Sequence, residues 1–200
     1  MKKLLLLFCI LSVASLTGNA QGLNVGFKAG YNYSRFNIEN VNAKSRSGLM
    51  AGVFVKIKTS DEFGIQPEVL FMRQSGSLTY SDTVIGGTGD FTFNYIQVPV
   101  MLVFKPVPIL NLQIGPYASY LASVNVKGRG VTNYDFEKVK KSQFNDWDFG
   151  VAVGAGVDIL FVTAGIRYNQ GLTRVGNSSS GYVLADGKNS TVTLYAGIQF

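Results

Sequence analysis

From Val25 onward the chain alternates residue by residue: Val25, Phe27, Ala29, Tyr31 and Tyr33 interleave with Gly26, Lys28, Gly30, Asn32 and Ser34. Successive side chains of a β-strand point to opposite faces, so a period of two dictates strands with one apolar face. No sustained 3.6-residue period competes with it after residue 20. Beyond Leu16 no uninterrupted apolar run approaches the roughly 18 residues that a membrane-spanning helix requires. If this chain enters a bilayer, it does so with strands.

The same alternation recurs seven more times. Leu49, Ala51, Val53, Val55 and Ile57 oppose Gly52, Phe54, Lys56 and Lys58; Ile65, Pro67, Val69 and Phe71 oppose Gln66, Glu68, Leu70 and Met72. Ile96, Val98, Val100, Leu102 and Phe104 follow against Tyr95, Gln97, Pro99 and Met101, and Leu112 to Tyr120 against Asn111 to Ser119. The remaining segments run from Trp147 to Ile159, Val162 to Asn169 and Val192 to Phe200. The connections alternate as well. Residues 59–62, 105–108 and 159–161 form tight turns, whereas 37–46, 75–90, 125–145 and 174–190 read as long polar loops, beyond the usual hairpin length of about 2–5 residues. An even number of strands with short turns at one end and long loops at the other predicts an all-β fold, an eight-stranded antiparallel up-and-down transmembrane β-barrel.

A soluble barrel alternates too, and the polar face decides between them. Gly26, Gly30, Gly52, Gly115, Gly150, Gly154, Gly156, Gly165 and Gly197 all fall on it, which suits a crowded lumen better than a solvated surface. The apolar face carries aromatics towards strand ends: Tyr33, Phe71, Tyr120, Trp147 and Tyr168 near the long loops, and Phe63, Phe104 and Phe200 near the short turns. Two aromatic girdles facing lipid would read this way. A secreted lipocalin-like carrier is the soluble rival.

The first twenty residues follow another rule. Lys2 and Lys3 precede an apolar run ending near Leu16, and Gly18-Asn19-Ala20 supplies the small residues that a signal peptidase reads, so residues 1–20 are expected to be an export signal and 21–200 the barrel domain. Cleavage there would remove Cys9, the one cysteine, and take the formal charge from +6 to +4 by removing two lysines. That small excess gives no reason to expect nucleic acid as a partner.

Six segments are familiar as a set: Gly26–Ser34, Gln66–Phe71, Tyr95–Val100, Gly115-Pro116-Tyr117, Asp148-Phe149-Gly150 and Arg167–Leu172. In this order, at strand spacing, they resemble the outer-membrane β-barrel domain family common in Bacteroidetes, often labelled porin-family or PorT-like. The resemblance covers essentially the whole of residues 21–200. It implies an integral barrel of the cell outer membrane; its PorT subgroup is linked to a secretion system.

Histidine is absent from the sequence, which removes Ser-His and Cys-His catalysis, imidazole metal sites and the usual near-neutral proton shuttle. We therefore expect no enzyme, no cofactor and no metal centre. The expected lumen polar network is Lys28, Lys56, Gln66, Glu68, Gln97, Asp148, Asp158 and Arg167, with Gln113 and Asn169 on the same face. Eight strands leave an interior just wide enough for side chains to fill, so these charges are expected to pair as a plug, Lys56 with Glu68 most directly. The expected function is structural or surface-interacting, carried by the long loops; a narrow porin-like channel, or the secretion-associated barrel that the PorT-like resemblance implies, is the alternative. The expected partners are outer-membrane lipid, lipopolysaccharide phosphates near the basic stretch Lys127 to Lys141, and the outer-membrane assembly machinery. That machinery would read the terminal aromatic, Phe200. The barrel is expected to be a monomer.

Overall fold

A computed structural model describes residues 22–37, 46–81, 86–129, 145–173 and 188–200. The expected export signal lies outside them. Eight strands follow in chain order: β1 Leu23–Asn37, β2 Arg46–Lys58, β3 Phe63–Ser81, β4 Gly86–Val107, β5 Leu110–Arg129, β6 Trp147–Ile159, β7 Val162–Gly171 and β8 Lys188–Gln199. Each pairs antiparallel with the next, and β8 pairs with β1, so the sheet closes. Closure leaves no unpaired edge within a medium that offers the backbone no hydrogen bonds.

The seam is well fastened. Val25 and Phe200 exchange main-chain bonds of 3.1 and 2.8 Å, and higher up Thr193 donates to Asn32 at 2.7 Å while the Ser34 and Thr191 hydroxyls meet at 2.8 Å. These four polar side chains are buried.

Alternation translates directly into inside and outside. Lys28, Gln66, Glu68, Gln113 and Arg167 are buried, while Phe27, Ile65, Val69, Ile114 and Ile166, one residue away on the other face, are exposed. An apolar exterior around a polar interior is the arrangement that lipid demands. Aromatics ring the outer face at both ends. Phe63 stacks on Phe104 with ring centres 5.0 Å apart beside the short turns, and Trp147 lies 5.2 Å from Tyr120 and 6.0 Å from Phe149 at the opposite end.

Two expectations about connections need correction. Residues 75–90, read as a loop, are strand up to Ser81 and again from Gly86; Ser-, Thr- and Gly-rich composition masked a continuing ladder that runs from Phe63↔Phe104 to Ser81↔Gly86. The other three expected loops are also shortened by strand: β1 reaches Asn37, β2 starts at Arg46, β5 reaches Arg129 and β8 starts at Lys188. The turn placed at 105–108 is tighter, because β4 continues to Val107 across a register irregularity after Phe104.

Candidate functional site

Among the described residues the lumen gathers a buried cluster of charge, and its chemistry is layered. At mid-height Glu68 on β3 receives Arg167 from β7, whose two terminal nitrogens donate to the two carboxylate oxygens at 2.7 and 2.9 Å. Gln66 donates to the same carboxylate at 2.6 Å, and the Lys28 ammonium from β1 lies 2.6 Å from Oε1. A planar guanidinium matches a carboxylate in this two-pronged geometry better than any other cation. Lys28 and Arg167 also flank one ring: the Lys28 nitrogen is 4.9 Å and the Arg167 guanidinium 5.6 Å from the centre of Tyr195.

Towards the short turns, Asp158 on β6 accepts from Lys56 at 2.9 Å and Asn111 at 3.0 Å, and Lys105 approaches to 2.7 Å. Lys56 also donates to Gln199 at 3.0 Å. Gln113 joins the two layers, donating to Asn111 at 2.8 Å and accepting from Arg167. A continuous hydrogen-bonded chain thus runs from Glu68 to Lys56.

The expected Lys56–Glu68 pair does not form. The β2–β3 register sets Phe54 opposite Glu68 and Ile57 opposite Ile65, which leaves Lys56 one pleat nearer the turn, beside Asp158 instead. Glu68 is taken by the other two cations, Lys28 and Arg167. Gln97 and Asp148 also stand apart from the charged chain. Gln97 is buried higher up, and Asp148 accepts from the hydroxyls of Thr173 at 2.6 Å and Tyr117 at 3.4 Å. Phe200 closes the seam through its main chain, and its side chain is exposed.

Lys105 was not foreseen. It reads as part of a Pro-flanked turn, yet the register irregularity between Phe104 and Val107 brings its ammonium to Asp158; Pro106 within an alternating segment was the available signal, since proline in a sheet marks such irregularities. Also unforeseen is an apolar layer inside the lumen. Met50, Met72, Tyr95 and Leu121 form one register row across β2 to β5, and with Leu70, Phe93 and Tyr195 they make a buried cluster towards the long-loop end.

Glycine makes room for these bulky side chains. A Cβ on Gly165 would stand 2.7 Å from the Tyr195 hydroxyl, and one on Gly26 would run into the Phe54 ring.

The chain's relatives agree with this architecture. No curated protein matches the sequence. Among solved structures, the attachment invasion locus protein Ail of Yersinia pestis, crystallised with the heparin analogue sucrose octasulfate, superposes with a TM-score of 0.50 at 17% identity, covering 90% of this chain and 100% of Ail. Neisserial surface protein A gives a TM-score of 0.50 at 15% identity, with 91% and 99% coverage. At such identities the likeness concerns the fold. The family model "Outer membrane protein beta-barrel domain" matches residues 19–176. With a closed eight-stranded barrel, an apolar exterior and this match, the chain belongs to the outer-membrane β-barrel domain family and resides in the outer membrane.

Proposed function

We propose that this protein is a closed, non-catalytic barrel that displays a rigid β-sheet beyond the membrane as a surface for interaction. The observation that carries the reading is the unequal length of the strands. β3, β4 and β5 contain 19, 22 and 20 residues, against 10 in β7. At about 3.3 Å per residue β4 extends roughly 70 Å, whereas a tilted strand of about 9–11 residues crosses a bilayer. β2 stops pairing with β3 at Ser47↔Ser75, and β6 stops pairing with β5 at Tyr120↔Trp147, yet β3, β4 and β5 continue together to Ser81, Gly86 and Arg129. A three-stranded sheet therefore rises above the barrel rim on the long-loop side, the extracellular end by the usual asymmetry of such barrels.

The lumen supports the closed half of this reading. Eight strands enclose little more than their own side chains, and here the ion-paired layers and the Met50–Leu121 row occupy the interior in succession. Arg73, exposed one pleat beyond Phe71, stands where lipopolysaccharide phosphates would meet the barrel, and Phe200, exposed just after β8, is the aromatic offered to the assembly machinery. The finer placement among the Bacteroidetes porin-family barrels rests on the six-segment resemblance, and a secretion-linked role would rest on that alone.

The test joins Ser75 directly to Thr92 through an Asn-Gly turn. These two residues already face each other, with hydroxyls 3.1 Å apart. The shortened protein is expected to keep its heat-modifiable gel shift and outer-membrane location, while bacteria displaying it lose adherence to bare and matrix-coated surfaces. Unchanged adherence would reject the display role.

A further inference from the structure

We propose that the outer end of the lumen binds a hard divalent cation of the calcium type, in a cleft between the extended strands and β6–β8. The proposal is independent of any adhesive role for the rim sheet.

The cleft is assembled by register. Gln97 on β4 faces Ser119 on β5, and Ser119 faces Asp148 on β6, so three adjacent strands present oxygens in one row. From the other side Asn169 on β7 faces Thr191 on β8, and Gln74 looks in from β3, one pleat above Met72. All of these line the same cleft.

Three of the lining groups are unsatisfied. The side-chain oxygens of Gln74, Gln97 and Asn169 are buried and have no hydrogen-bond partner among the described residues, and the residues themselves are 2, 3 and 5% exposed. A buried acceptor without a partner is expensive, so three in one cleft call for a hydrogen-bond donor or a cation between them. Asp148 supplies charge: it is the charged side chain among the lining residues, and hydroxyls of Thr173 and Tyr117 hold its carboxylate against the wall.

The donor set selects the ion. One carboxylate with amide carbonyls and hydroxyls is an all-oxygen site, which suits calcium with several waters; softer metals prefer nitrogen or sulfur ligands. Magnesium needs near-ideal octahedral geometry and sheds water reluctantly, so amide oxygens dispersed over three strands, β3, β4 and β7, suit the larger ion. Deeper in the lumen Lys28, Arg167, Lys56 and Lys105 surround only Glu68 and Asp158 among the described residues. A cation entering from outside therefore meets an attractive cleft backed by a repulsive floor, and it is held without passing through.

Terbium, which occupies calcium sites, reads this directly because Tyr95 and Tyr117 line the cleft and can sensitise its emission. The full-length barrel, refolded in detergent and checked by heat modifiability, is titrated with terbium and then with calcium. Saturable emission is expected, displaced by calcium with a dissociation constant on the order of 10⁻⁴–10⁻³ M, the weak range of sites with little ligand charge. Asp148→Asn should weaken binding by about tenfold, and Gln97→Met, which keeps the volume and removes the acceptor, by several-fold. Should Asp148→Asn fail to fold, Gln74→Met takes its place. Emission that magnesium or sodium at matched ionic strength displaces equally well overturns the proposal. So does emission that survives Gln97→Met and disappears in Asp61→Asn, which would place the ion at the opposite turn.

Discussion

Arg167 and Glu68 meet across the full width of the barrel, β7 to β3, through two parallel hydrogen bonds of 2.7 and 2.9 Å. The two strands stand four apart in a ring of eight, so this pair works as a strut between opposite walls. Both side chains are almost wholly buried. Such a pair adds little net stability against an apolar replacement, but removing one partner strands the other in a medium that cannot solvate it.

Glu68→Ala is therefore expected to cost about 3–5 kcal/mol, because it leaves both Arg167 and Lys28 buried without their carboxylate. The triple replacement Lys28→Met, Glu68→Leu, Arg167→Met should be milder than the single one. Urea midpoints of the barrel folded into vesicles measure both, and equal midpoints for wild type and Glu68→Ala would refute the strut.

Asp158→Ala should be less harmful than Glu68→Ala. Asp158 also holds two lysines, but the Lys105 side chain is 22% exposed at the short-turn mouth and can turn to water when its partner goes. Asp61→Ala, which removes a fully exposed carboxylate beside Lys58, should leave the midpoint unchanged. The order Glu68, Asp158, Asp61 is the prediction, and the same denaturation series reads it.

How far the sequence displays this molecule depends on which physical rule is at work. Strand number, face and pairing were legible because alternation leaves a hydropathy contrast at nearly every step, as in Val151 to Val157 against Ala152, Gly154 and Gly156. Where contrast fades, so does the reading. Leu70, Phe71 and Met72 are apolar in succession, so nothing in the alternation marks Met50, Met72, Tyr95 and Leu121 as one inward row. The continuation of β3 and β4 through Ser75–Ser81 and Gly86–Thr92 was hidden for a different reason: Ser-, Thr- and Gly-rich segments carry no hydropathy contrast between their two faces. Ion-pair partners depend on register to within one residue, and a shift of one pleat moved Lys56 from Glu68 to Asp158.

The lipid face offers a sharper test of orientation. Val153 is 43% exposed on the outer face of β6, whereas its neighbour Ala152 is fully buried towards the lumen. Val153→Arg should destabilise the folded barrel in bilayers by about 2–4 kcal/mol, the cost of placing arginine near mid-membrane. The same variant in a soluble carrier would be nearly silent, so normal folding of Val153→Arg into vesicles would reverse inside and outside.

Gly165 tests the crowding of the lumen. Its missing side chain gives space to the Tyr195 hydroxyl, and a Cβ there would also come within 2.6 Å of the Ala155 carbonyl oxygen. Gly165→Val should therefore cost about 1–3 kcal/mol, the usual penalty for overpacking, and Tyr195→Ala should relieve part of it. A double mutant no better than Gly165→Val alone would assign the strain to the backbone contact.

Conductance separates the closed barrel from the narrow channel. Any ion travelling the lumen must pass the Met50–Leu121 row, then the Glu68–Arg167 strut, then the Asp158 cluster, and each is a buried contact spanning neighbouring or opposite strands. Purified wild-type protein in planar bilayers is therefore expected to be silent or to flicker briefly, since eight strands leave no continuous aqueous path around such side chains. Replacing the strut with small residues, Glu68→Ser together with Arg167→Ser, removes the central contact and should raise the frequency of openings while the apolar row still limits their size. Adding Met72→Ser should lengthen them further. Steady, ion-selective current from the wild-type barrel, altered by neutralising Lys56 or Glu68, would make the lumen a conduit and move the function from the rim to the interior.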